Sequence, residues 1–307
     1  MRRDVDPRPD GPDRLDLNRG SRAASEHRSS RVSDLRDVFS RDLSLPRSSS
    51  RRPIQGRDRS FELRASEVRL LATTGAFRVV PARDLLDERG RSLNPKSGDL
   101  RHLRESGLVR TVPYVAGREK TSLVTLTEDG RHFLEAHRNP DTVEPRQEFY
   151  AGIVKPRELS HDAELYRAYL HAAERLQSQG STVTRVALDY ELKRDYQRFR
   201  RDLDRERQRT ERDSDAVERE VAEWARRYDL PVADGHVQFP DVRIEYERPD
   251  GERRVEDVEV VTPHYRGAYA AAKGRSGFTC YRIDARVGGR GGRSGGRGPG
   301  IAEELLR

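Results

Sequence analysis

Apolar positions fall into a regular pattern only after about residue 58. Residues 1–58 are rich in Arg, Asp, Ser and Pro with no sustained apolar period. A disordered polar tail is expected there, because little side-chain burial offsets the entropy of ordering. One short stretch, 32–45, does place Leu35, Val38, Phe39 and Leu43 at helical spacing. Beyond the tail, Val68, Leu70, Leu71 and Ala72 predict an amphipathic helix over 66–74 with Ser66 as its N-cap. Pro81 suits the first turn of a second helix over 82–88 that buries Leu85 and Leu86. Asn94-Pro95 and Ser97 open a third helix, with Leu100 and Leu103 on one face and Lys96, Arg101 and Arg104 on others. Gly107 closes it, in the position where glycine commonly ends helices. Two β-prone runs, 108–115 and 121–126, are joined by Ala116-Gly117-Arg118-Glu119-Lys120, a hairpin with a basic tip. A final helix starts at Thr127 and turns Phe133 and Leu134 inward.

The stretch 139–156 contains Pro140, Pro145 and Pro156 and reads as a linker to a second folded region over 157–285. A helix over 161–179 carries the apolar stripe Leu165, Tyr169, Ala172 and Leu176. A strand over 182–188 follows, then a charge-dense helical insertion over about 191–228. Short strands at 237–239, 242–246 and 255–261 come next, and Asp250-Gly251 marks a hairpin between the last two. A helix over 265–273 and a strand over 278–283 complete the region. Residues 286–307 form a tail whose GGRGGRSGGRGPG repeat is flexible and cationic. The fold class is mixed, α+β or α/β, in two folded regions with disordered ends.

Composition narrows the functional classes. Hydrophobic residues make up 33% and charged residues 37%, so much of the chain is expected to be solvated. A net charge of +7 favours an anionic partner, without separating nucleic acid from an anionic membrane surface. No run approaches the ~20 apolar residues of a membrane span, and the N-terminal residues lack the apolar core of a secretory signal. A cytoplasmic protein with no membrane association is expected. Cys280 stands alone, so no intrachain disulfide forms. The absence of a GxxxxGK[ST] loop argues against a nucleotide cofactor and ATP-driven work. His161, His171, His236 and His264 are scattered and read as structural or exposed.

Helix, helix, helix, hairpin, helix over 59–138 is the order of a winged helix-turn-helix. In that arrangement the third helix enters the major groove and the hairpin tip reaches phosphates or the minor groove. The expected contacts with double-stranded DNA are Lys96, Arg101 and Arg104 on the helix, with Arg118 and Lys120 on the wing. The runs HLRESGLV and VTLTEDGRHFL resemble winged-helix regulators at Leu103, Gly107, Leu108, Leu126, Thr127, Gly130, Arg131 and Leu134. These positions are structural, so a winged helix used for protein docking or dimerisation stays open.

The order of the second region resembles the PD-(D/E)xK nuclease fold, with Pro240-Asp241 and Glu259 as the residues that suggest it. That resemblance implies carboxylates on adjacent strands holding Mg²⁺ and a lysine stabilising the attacking hydroxide or developing charge. The lysine position, two after Glu259, is Val261 here. Lys273 on the following helix could serve instead. Asp257 could pair with Glu259 as a D-x-E set, and Glu164 could add a further metal ligand. The catalytic set implied is therefore Asp241, Glu259 and Lys273, and the metal set is Asp241, Glu259, Asp257 and Glu164.

Taken in order, LRASEVRLLATTGAFRVVPARDLL, LSHDAELYRAYL, PDVRIEY and VEVVTPHYRGAYAAAK resemble the replication-relaxation family of plasmid and mobile-element proteins. That resemblance spans residues 60–283 and implies a DNA-binding protein with a nuclease-like and degenerate second domain. An active Mg²⁺-dependent DNA endonuclease is one alternative. A winged-helix transcriptional regulator with a dimerisation or effector domain is another, and homodimer formation stays open.

Overall fold

A computed structural model describes residues 37–87, 89–116, 119–142, 145–153, 158–210, 214–261 and 276–282 of the 307. The chain is mixed α and β. Among the described residues, no helix is long and apolar enough to cross a membrane.

The N-terminal half is built on helix α1 (Ala65–Ala76), which buries Val68, Leu71, Ala72 and Ala76. Ser66 does not cap it. The residue before the helix is Arg64, whose N–H donates to Glu67 at 3.1 Å, while Ser66 Oγ donates to Asp99 at 2.6 Å. Strand β1 (Arg52–Gln55) pairs antiparallel with β2 (Ser60–Leu63), and both precede α1. Strand β3 (Val80–Pro81) follows it and lies against β5 (Glu119–Leu126).

The helix expected over 82–88 is a single 3-10 turn, Ala82–Asp84. Asp84 is drawn into a two-bond contact with Arg167 at 2.7 and 3.2 Å. Leu85 then turns extended, and its carbonyl accepts from Leu93 N. Asp87 holds the returning loop by accepting from the N–H groups of Arg89 and Arg91. Leu85 is buried as expected, but Leu86 is 40% exposed. Tertiary pairing has outcompeted a helix too short to be stable alone.

Helix α2 (Gly98–Glu105) turns Leu100 and Leu103 fully inward. Gly107 ends it at φ +71°, where a side chain is disfavoured. Strand β4 (Val109–Ala116) then pairs with β5 in register from Val109↔Leu126 to Ala116↔Glu119. Thr127 caps helix α3 (Glu128–Ala136) by accepting from Gly130 N at 3.0 Å and donates to the Gly107 carbonyl at 2.6 Å. A Cβ on Gly130 would lie 2.1 Å from the Leu108 carbonyl oxygen. Threonine and glycine in LTEDGR thus lock α3 onto the turn that closes α2.

The second half pairs helix α4 (Leu159–Ser178) with a four-stranded sheet of β6 (Thr182–Leu188), β9 (Val242–Glu247), β10 (Arg253–Val261) and β11 (Thr279–Arg282). The order is β11-β10-β9-β6; β6/β9 and β9/β10 are antiparallel and β10/β11 parallel. Helices α5 (Asp189–Thr210) and α6 (Ser214–Arg227) intervene, with the small hairpin β7 (Val232–Ala233) and β8 (His236–Val237). The charge-dense insertion is more than solvated surface. Leu192, Leu203, Val221 and Trp224 form a core of their own, with Tyr196, Phe199 and Phe239 packed on it. The helix expected over 265–273 lies outside the described residues.

The expected tail and linker both carry packing. Phe39 meets Phe77 and Tyr169 at ring distances of 5.3 Å, and Phe77 meets Tyr166 at 5.2 Å. The described part of residues 1–58 therefore joins the core, with Val38, Leu43 and Leu45 also buried. In the 139–156 stretch, Gln147 donates to the Val186 carbonyl at 2.9 Å and accepts from Val186 N at 3.0 Å. Phe149 is buried, and Tyr150 N donates to Gly75 O at 2.8 Å. One continuous apolar cluster runs from α1 through α4 to the sheet.

Candidate nucleic-acid interface and carboxylate cluster

The inward turn of Leu100 and Leu103 leaves the remaining faces of α2 to polar residues. Arg101 is exposed, Arg104 is half-buried, and Lys96 is exposed in the turn that leads into the helix. Arg101 donates to Glu105 at 2.7 Å, an exposed i,i+4 pair screened by solvent and therefore easily exchanged for a phosphate. Asp99 is spoken for by Arg64 and Ser66. Lys120 is exposed on β5 next to the hairpin tip, while Arg118 lies outside the described residues.

His161 follows Ser160, and its Nε2 lies 3.1 Å from Asp241 Oδ2. The same oxygen accepts the Val260 N–H at 2.8 Å, which ties Asp241 to the edge of β10. Asp162 stands on the other side of the imidazole, 3.7 Å from Nδ1. Burial alone would lower the His161 pKa, but the contacts to Asp162 and Asp241 outweigh it and push the value up to about 10. His161 is thus an imidazolium at neutral pH. The sequence pattern reads His161 as structural or exposed, and no local spacing signals a partner 80 positions away.

Register brings Asp241 and Glu259 toward each other. Val242 pairs with Val258, so one further step sets Asp241 opposite Glu259. Glu259 is 1% exposed. Asp257 and Glu259 share one face of β10, as their spacing requires. Asp257, however, is bound by Arg243 through two 2.7 Å bonds. Arg243 is buried too and donates onward to the carbonyls of Tyr228 and Asp229. Glu164 is held by Arg167 at 2.7 Å, within the contact to Asp84. Lys273 lies outside the described residues.

The arrangement does not suit a divalent cation. Mg²⁺ demands near-octahedral oxygen ligands at roughly 2.0–2.1 Å. Here Asp257 and Glu164 are neutralised by arginines, and an imidazolium already sits on Asp241. Among the described residues, no group of three or more His, Cys, Asp or Glu side chains is placed to hold a metal ion.

Compared with known proteins, the chain matches no family model, no curated protein and no solved structure.

Proposed function

We propose that this protein binds duplex DNA of a plasmid or other mobile element, with residues 59–138 acting as a winged helix. In this reading α2 enters the major groove, the β4–β5 hairpin is the wing, and Lys96, Arg101, Arg104, Arg118 and Lys120 meet the duplex. The observation that carries the reading is that α2 buries Leu100 and Leu103 and leaves Arg101 exposed and Arg104 half-buried, with Lys96 exposed in the turn before it. An eight-residue helix of that kind suits the groove, and the exposed Arg101–Glu105 pair costs little to exchange. A labelled-duplex anisotropy titration tests it: Arg101→Ala/Arg104→Ala should weaken binding by about ten-fold or more.

The second half is read as a nuclease-like scaffold that has lost cleavage. Its strand order and directions support a PD-(D/E)xK-type sheet, with Asp241 at the head of the second strand and Glu259 on the third. The pairing of Asp241 with His161, and of Asp257 with Arg243, favours structure over metal-assisted hydrolysis. The register that opposes Asp241 and Glu259 is the one feature favouring an active endonuclease. Plasmid nicking in Mg²⁺ that disappears in Asp241→Ala would establish that alternative.

A further inference from the structure

A groove of about 710 Å³ opens where α3, the 146–151 strap and the start of α5 meet, within the size range of small-ligand sites. Its walls mix guanidinium groups with aromatic rings. Arg131, Arg138 and Arg194 are each neutralised by a glutamate of the same groove, Glu128, Glu135 and Glu148. Arg78 is placed differently. Its backbone is left-handed, at φ 61°, a conformation rarely kept by a residue with a Cβ unless its surroundings impose it. Its guanidinium lies 5.1 Å from the Tyr190 ring centre and 5.4 Å from that of Tyr150. Its carboxylate partner Asp162 stands at 3.9 Å, a looser ion pair than the other three, and Arg78 itself is largely buried at the groove wall. Tyr190 keeps half of its surface in solvent, although it is a large aromatic side chain. The Tyr150 hydroxyl is buried without a hydrogen-bond partner among the described residues.

We infer that this groove binds a nucleotide unit, with the phosphate on Arg78 and the base stacked on Tyr190. A planar guanidinium fixed by its backbone and by two rings is preorganised for a phosphate. An exposed tyrosine beside it supplies a stacking surface that tolerates any base. No glycine-rich phosphate loop is involved, so the site binds without the geometry of ATP hydrolysis. The inference stands apart from duplex binding through α2, which uses other residues.

Calorimetric titration of the full chain tests it with AMP, adenosine, inorganic phosphate and a single-stranded DNA ten-mer. AMP should bind more tightly than adenosine or phosphate. Arg78→Lys keeps the buried aliphatic stem and a positive charge facing Asp162 but loses the planar fork, so it should retain the fold and weaken AMP by about ten-fold or more. Tyr190→Ala should weaken AMP and adenosine while sparing phosphate. Competition between the ten-mer and AMP would assign the site to a strand nucleotide, whereas binding of AMP alone would assign it to a free one. Failure of wild type to bind either probe, or unchanged affinity in both variants, overturns the inference.

Discussion

His161 Nε2 and Asp241 Oδ2 stand 3.1 Å apart, and the same oxygen receives the Val260 N–H. The contact joins the start of α4 to the edge where β9 and β10 meet.

The raised His161 pKa has a definite sign in stability. The folded value of about 10 exceeds the ordinary histidine value, so the imidazolium contacts stabilise fully below about pH 6.5 and fade as pH rises through about 10. NMR of the His161 ring should find it protonated at about pH 8. His161→Gln should remove most of the alkaline loss of melting temperature in that window. A ring that titrates near its ordinary value would refute the assignment.

Asp257→Ala should destabilise the fold by about 3–5 kcal/mol, because it strands a buried Arg243. Urea unfolding without any metal present measures this. A loss within about 0.5 kcal/mol, typical of an exposed surface position, would mean that the pair is not structural.

Gly130→Ala should cost about 1–3 kcal/mol, since the new Cβ meets a backbone oxygen that has no rotamer to adopt. Gly107→Ala should cost about 1–2 kcal/mol, through its left-handed backbone. Thermal unfolding of both variants should give the larger penalty at Gly130 if α3 does close directly onto the turn after α2.

Gln147→Ala should remove both side-chain bonds to Val186 and leave a buried N–H and carbonyl of β6 unpaired. A loss of about 2–4 kcal/mol is expected from two such groups. Amide exchange at Val186 is the direct readout. Unchanged protection there would show that the 139–156 strap does not pin the sheet.

Elements whose signals are local were legible in the sequence. The hairpin β4–β5, its Thr127 exit, the strand 182–188 and the Asp250-Gly251 turn all follow from residues close together in the chain. The opposition of Asp241 and Glu259 also follows, because one hairpin turn fixes both strands. What escaped depends on distant partners. Phe39 looks isolated in a polar run, and its burial needs Tyr169, 130 residues later. The helix expected over 82–88 yields to Arg167 and Leu93, neither of which its own apolar spacing can signal. His161 gains the second of its two carboxylate partners, Asp241, only when α4 meets the start of β9.

Duplex binding through α2 is the central claim, and its salt dependence tests it most directly. Wild-type affinity should fall steeply between about 50 and 200 mM salt, in proportion to the phosphates neutralised. In Arg101→Ala/Arg104→Ala the slope of log affinity against log salt should become shallower by roughly two. A wild-type affinity that does not respond to salt, or a double variant with an unchanged slope, would contradict the account.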